Sequence, residues 1–158
     1  MRKSENQLWK VIATAGGLGY CPVAPGTAGS AGGLLAAILV LRFSPHPWPV
    51  LLALAAAFTF LGVIASRRLA HEWGEDPQKT VIDEVVGMWI SLLWTGSGWI
   101  TLGLAFGLFR FFDIVKPLGI RKTESLPGGL GVMADDIAAG ILANVTLQLA
   151  CHLIPALS

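Results

Sequence analysis

Between Phe109 and Asp136 the chain reads FRFFDIVKPLGIRKTESLPGGLGVMADD. Eight charged residues fall there: Arg110, Asp113, Lys116, Arg121, Lys122, Glu124, Asp135 and Asp136. Apolar runs flank the stretch on both sides. Ionised groups are costly in hydrocarbon, so such a segment must stay in water or in a polar cavity while its flanks are buried. The composition names the medium. The 158 residues are 54% hydrophobic and 13% charged, whereas a soluble domain carries roughly 25% charged residues. The expectation is one membrane domain over residues 1–158, with this segment as the main wall of a polar site at the membrane surface.

The apolar runs set the topology. Residues 1–15 place Leu8, Val11, Ile12 and Ala15 on one helical face, with Arg2, Lys3 and Lys10 on or near the other. That suits a short helix lying in the interface with Trp9 at headgroup level, or equally an amphipathic helix packed on a core. Residues 16–30 are dense in Gly and Pro, which argues against regular helix there. An apolar segment then runs from about Ser30 to Phe43, and Ser44–Pro49 breaks it. Trp48 to Ser66 is apolar throughout, and its nineteen residues span about 28 Å, close to the hydrocarbon thickness of roughly 30 Å. Arg67-Arg68 is expected to stop that span. Residues 67–84 are polar. Val85–Thr95 and Trp99–Phe109 read as a helical hairpin whose arms are short for spans; these and the segment at 31–43 could instead be buried helices of a compact apolar bundle, and Ile137–Leu157 is the last apolar run.

Alternating these runs gives an all-α polytopic bundle of about five membrane-embedded helices. The N-terminus, residues 67–84 and residues 110–136 then share one side. Ten of the eleven Lys and Arg residues lie there, with Arg42 the exception, and the positive-inside rule makes that side cytoplasmic. No basic tract is present, so no nucleic-acid partner is expected. Cys21 and Cys151 lie far apart and suggest neither a disulfide framework nor a zinc site.

Nearly all the carboxylates lie in two loops on the charged side. Asp76 precedes Asp83-Glu84, which open an apolar helix, and Asp135-Asp136 open another. Acidic residues at a helix start are favoured by the macrodipole, so either pair alone reads as capping. Two pairs on one side, beside Asp113 in an apolar helix, shift the balance. Clustered carboxylates repel unless a cation binds them, and hard oxygen ligands suit Mg²⁺, which completes its shell with water and substrate phosphate. Asp83, Glu84, Asp113, Asp135 and Asp136 are therefore the candidate metal ligands or water-activating bases, with Asp76 behind them. Arg110, Asp113 and Lys116, spaced i, i+3, i+6, share a helix face that Pro117 should end near Lys116. They read either as a surface ion pair or as a phosphate clamp, with Arg110 the bidentate donor and Lys116 a point charge. Thr27 and Ser30 could add hydroxyls from the Pro25–Ser30 segment, which is not a Walker A loop. Cys-x5-Arg and aspartyl-phosphate patterns are absent from the sequence. Metal-assisted attack on a bound phosphate, by water or by a carboxylate, remains.

Four motifs in order carry a resemblance. They are G-x-G-Y-x-P-V-A-P-G-T-x-G-S (Gly17–Ser30), D-x6-D-E-x-x-G (Asp76–Gly87), F-R-F-F-D-I-x-K-P (Phe109–Pro117) and G-G-x-G-V-M-x-D-D-x-x-A-G (Gly128–Gly140). With the apolar segments between them, the chain resembles the phosphatidylglycerophosphatase A family over nearly its whole length. Ala28 and Ala134 depart from the family pattern, but neither removes a polar group. The resemblance implies a Mg²⁺-dependent, multi-pass enzyme of the bacterial inner membrane. Such an enzyme hydrolyses the terminal phosphate of phosphatidylglycerophosphate to give phosphatidylglycerol, and its site faces the cytoplasm. Asp83, Asp113, Asp136 and Lys116 would be catalytic, and Thr27, Ser30, Arg110 and Lys116 would bind phosphate. The partners are then the lipid substrate and the bilayer, with a homo-oligomer left open. Two other readings are weaker. A CDP-alcohol phosphotransferase would need a D-G-x2-A-R signature that the chain lacks, and a cation transporter would want ionisable residues in mid-span.

Overall fold

The computed structural model describes residues 3–74 and 77–154 and is all-helical over them. Six α-helices follow one another: α1 (Lys3–Ala13), α2 (Pro25–Phe43), α3 (Pro47–Trp73), α4 (Ile82–Ser91), α5 (Trp99–Val115) and α6 (Gly129–Leu153). Short 3-10 turns occupy Leu18–Tyr20 and Ile120–Ser125. Three helices, α2, α3 and α6, are long and apolar enough to cross a membrane. With ten residues α4 reaches only about 15 Å, half the hydrocarbon thickness, so it is a buried helix inside the bundle.

Several boundaries differ from the sequence reading. Helix starts at Pro25, because proline is preorganised for the first helical position and loses no hydrogen bond there. The glycines that follow are tolerated because α4 packs on them. Val81 crowds Gly29, and Val85 and Met88 crowd Gly33. Helix α3 does not stop at Arg67-Arg68. Both side chains are exposed, and the helix runs on to Trp73 before ending at Gly74, whose φ of 91° suits glycine. The arginines mark a change of medium, not of backbone. Helix α5 runs six residues past Phe109 and ends where expected, with Lys116 left-handed before Pro117. Helix α6 starts at Gly129, so Asp135 and Asp136 lie in its second turn and not at its mouth.

The core forms around α4. Ile82, Val86, Met88 and Leu92 are fully buried, and neighbouring helices surround them. The Trp89 indole N–H donates to the Gly33 carbonyl at 2.9 Å. The side-chain amide of Asn144 donates to the carbonyls of Ser91 (3.1 Å) and Leu93 (2.7 Å), satisfying groups that the end of α4 leaves open. The amphipathic N-terminal helix packs on the far end of α3. Ala13 joins Ala65 and Leu69, Lys10 pairs with Glu72, and Arg68 lies over the Trp9 ring at 4.9 Å. The bundle's outer surface is apolar. Ile141, Val145, Leu149 and Leu153 repeat every fourth residue of α6 and are all exposed, as are Leu35, Leu39 and Phe43 on α2. Patches of that kind mark a surface meant for lipid or partner.

Candidate active site

The polar ends of α2, α4, α5 and α6 close around a cavity of about 440 Å³. Its walls bring together Gly26 from α2, Thr80 before α4, Asp83 and Glu84 in the first turn of α4, Arg110 and Asp113 from α5, Lys116 just beyond it, and Asp135 and Asp136 from α6. All five carboxylates chosen from the sequence therefore line one site. Asp76 lies outside the described residues.

Three of the carboxylates form the inner group. Asp83, Glu84 and Asp136 each place one oxygen within 4.8 Å of the others. Asp83 is 7% exposed and Asp136 3%; Asp83 Oδ1 accepts the Glu84 backbone N–H at 3.1 Å in the first turn of α4, whereas Asp136 lies well inside α6. Burial, with Glu84 beside it, holds Asp83 well above the ordinary carboxylate range. Burial also raises Glu84, although the Asp83 hydrogen bond and Arg110 pull the other way. Carboxyls that are desolvated and mutually repelling resist ionisation until a cation offsets their charge.

The cations flank this group. Arg110 Nη1 lies 2.7 Å from Asp113 Oδ2 and donates to Ser30 Oγ at 3.3 Å. The Ser30 hydroxyl in turn donates to the Gly26 carbonyl at 2.9 Å, so Ser30 orients the arginine from within α2. Asp113 also lies within hydrogen-bonding reach of Asp136. Lys116 does not complete a three-residue row with Arg110 and Asp113. The chain turns left-handed at Lys116, and its ammonium pairs with Asp135 Oδ2 across to α6, at 2.5 Å. Thr27 is half-buried and is not among the lining residues, unlike Gly26 beside it.

Among the described residues, four buried polar atoms around the cavity have no hydrogen-bond partner: Thr80 Oγ1, Glu84 Oε2, Arg110 Nε and Asp135 Oδ1. Buried polar groups are normally satisfied, so two carboxylate oxygens and a guanidinium nitrogen left without a partner around one cavity point to a bound group that is not part of the protein. Oxygen donors in a desolvated acidic group fit a hard divalent cation, and the Arg110 guanidinium on the same wall fits an anion.

Sequence reasoning overlooked Thr80 and took Gly26 only as part of the glycine-rich Pro25–Ser30 segment. Thr80 lies three residues before Asp83 and carries no motif. The signal at Gly26 is the glycine itself: a Cβ there would run into Glu84 Oε1 and come within 3.3 Å of Arg110 Nη1.

Comparison with known proteins places the chain. The family model of phosphatidylglycerophosphatase A matches residues 11–151. A Bacteroides thetaiotaomicron protein named "Putative phosphatidylinositol-3-phosphatase" is 45% identical over 150 residues, covering 89% of this chain and 91% of that protein. Phosphatidylglycerophosphatase A of Escherichia coli K12 is 33% identical, covering 91% and 84%. That of Haemophilus influenzae is 36% identical, covering 87% and 85%. No solved structure gives a significant match. With the family pattern matched across almost the whole chain and the acidic and basic motifs meeting in one cavity, this chain belongs to the phosphatidylglycerophosphatase A family.

Proposed function

We propose that the chain is a Mg²⁺-dependent lipid phosphatase that cleaves the terminal phosphate from phosphatidylglycerophosphate, releasing phosphatidylglycerol. One observation carries this reading. A single cavity at the end of membrane-length helices holds a desolvated three-carboxylate group facing Arg110 and Lys116. The names of two relatives support this substrate. The bias of Lys and Arg toward the side of the site supports an inner-membrane protein with a cytoplasm-facing cavity.

Asp83, Glu84 and Asp136 would hold the ion. A bound Mg²⁺ supplies neutralisation of charge on the phosphoryl oxygens. Arg110, held in place by Asp113 and Ser30, binds the phosphate from the cavity wall. Asp113 lies outside the inner group and beside Asp136, which suits it to accept a proton from an attacking water. Lys116 balances the charge that develops as the bond from phosphorus to the glycerol oxygen breaks. Asp135 keeps that ammonium turned toward the cavity.

A second reading keeps the chemistry and changes the headgroup. The relative at 45% identity carries a phosphoinositide name, so phosphatidylinositol-3-phosphate is the competing substrate. The experiment is phosphate release from both lipids in detergent micelles, with Mg²⁺ and with EDTA, for the native chain and for Asp83→Asn and Asp136→Asn. Metal-dependent release that both substitutions abolish, from protein that stays folded, supports the assignment, and the preferred lipid decides the headgroup. Release that survives EDTA, or near-native activity in both variants, would sink the metal-site reading. No release from either lipid would sink the phosphatase reading.

A further inference from the structure

A second cavity, of about 430 Å³, lies on the apolar side of the same helices. Ile12 of α1, Ala15 just beyond it, Gly32 and Ala36 of α2, Phe58 of α3 and Trp89 of α4 line it. Phe58 and Trp89 meet edge to face at 5.0 Å between ring centres. The one polar atom of Trp89 is spent on the Gly33 carbonyl, so this aromatic pair gives the groove a rigid, apolar floor. Small residues at Ala15, Gly32 and Ala36 leave the space open.

We propose that this groove holds one fatty acyl chain of the lipid whose phosphate enters the carboxylate cavity. The inference rests on the lipid-phosphatase reading and adds where the substrate's tail goes. Depth is the first argument. On α2, Gly26 lines the carboxylate cavity, while Gly32 and Ala36 line the groove about 9 and 15 Å further along the axis. On α4, Glu84 lines one and Val85 the other. In the proposed substrate a glycerol, a phosphodiester and the glycerol that carries the acyl chains separate the terminal phosphate from the tails, so a phosphate held at Arg110 leaves the tails well along α2, at the depth of the groove. The second argument is the medium, because α2 and α3 are two of the three membrane-length helices. The third is shape. The chain's own α1 and Leu18, which packs against Gly32, wall the groove on one side. That leaves room for a single flexible chain and not for a helix of a second protein.

The test is a chain-length profile. Phosphate release is measured in mixed micelles from diacyl substrates with six-carbon and with eighteen-carbon chains. Ala36→Leu fills the groove, and Leu61→Ala, also on its lining, widens it. Leu39→Phe, on the exposed face of α2, is the control. Each buried methylene is worth about a fourfold preference. Ala36→Leu should therefore lower the long-chain to short-chain activity ratio about tenfold while leaving six-carbon turnover within about twofold of native. Leu61→Ala should leave the ratio unchanged or raise it, and Leu39→Phe should leave it as it is. A ratio that Ala36→Leu does not change, with six-carbon turnover intact, overturns the proposal and leaves the groove to bulk lipid. If Ala36→Leu does not fold, a drop in the ratio on Leu61→Ala overturns it. If the native chain releases no phosphate from either substrate, the phosphatase reading fails instead.

Discussion

Gly140→Ala should separate the two halves of the acidic group. Gly87 lies four residues beyond Asp83 on α4, and Gly140 four residues beyond Asp136 on α6, so the helices cross one turn below the carboxylates. A Cβ at 140 would fall 2.5 Å from the Gly87 carbonyl oxygen. Ordinary contact begins near 3.4 Å, so the helices must part by roughly 0.9 Å. The clashing atom is backbone in the middle of a buried helix and cannot swing aside. Overpacking of this kind costs about 1–3 kcal/mol, offset by the ~1 kcal/mol that alanine gains over glycine in a helix. The net loss of stability is about 0–2 kcal/mol. The effect on turnover is larger, because a misplacement of about 1 Å in a catalytic group can cost about a hundredfold. The assay pairs thermal unfolding in detergent with Mg²⁺-dependent phosphate release. Gly103→Ala is the control: it lies mid-helix in α5 with nothing within 4 Å of its Cβ, so it gains helix propensity alone. Gly140→Ala that is as stable and as active as Gly103→Ala would refute the claim that this crossing sets the carboxylate spacing.

Two further predictions concern the charges. Arg110→Lys keeps one positive charge but loses the fork that meets Asp113 and Ser30. Its kcat/KM should fall about 10–100-fold, with Mg²⁺ binding by calorimetry unchanged. Because Asp83 and Glu84 hold protons more tightly in the fold than in the unfolded chain, they favour the metal-free fold at low pH. That contribution is lost as pH rises through their raised pKa values. Without a divalent ion, the melting temperature should therefore fall between acid and neutral pH. Mg²⁺ should restore it, more strongly at the higher pH, because the ion competes with protons. A melting temperature that rises with pH in EDTA would contradict the burial of this pair.

The helical class and the location of the site's residues were legible in the sequence because both depend on polarity alone. Uninterrupted apolar runs have to be buried or face lipid, and Asp83, Glu84, Arg110, Asp113, Asp135 and Asp136 could lie only at their polar ends. Pro117 likewise announced the end of α5, since proline constrains the backbone before it. Tertiary contact decided the rest. Whether Pro25–Ser30 is loop or helix depends on α4 being there to pack on its glycines, which no local propensity records. Arg67-Arg68 ends an apolar run but not a helix, because backbone hydrogen bonds continue where the medium changes. Lys116 could not be assigned to Asp135, nineteen residues away, because that pairing arises from the left-handed turn and from the way α5 packs on α6. The burial of Asp83 and Asp136 likewise came from helix crossings at Gly87 and Gly140. The chain encodes those crossings only as two glycines, and their spacing is set by the packing of one helix on another.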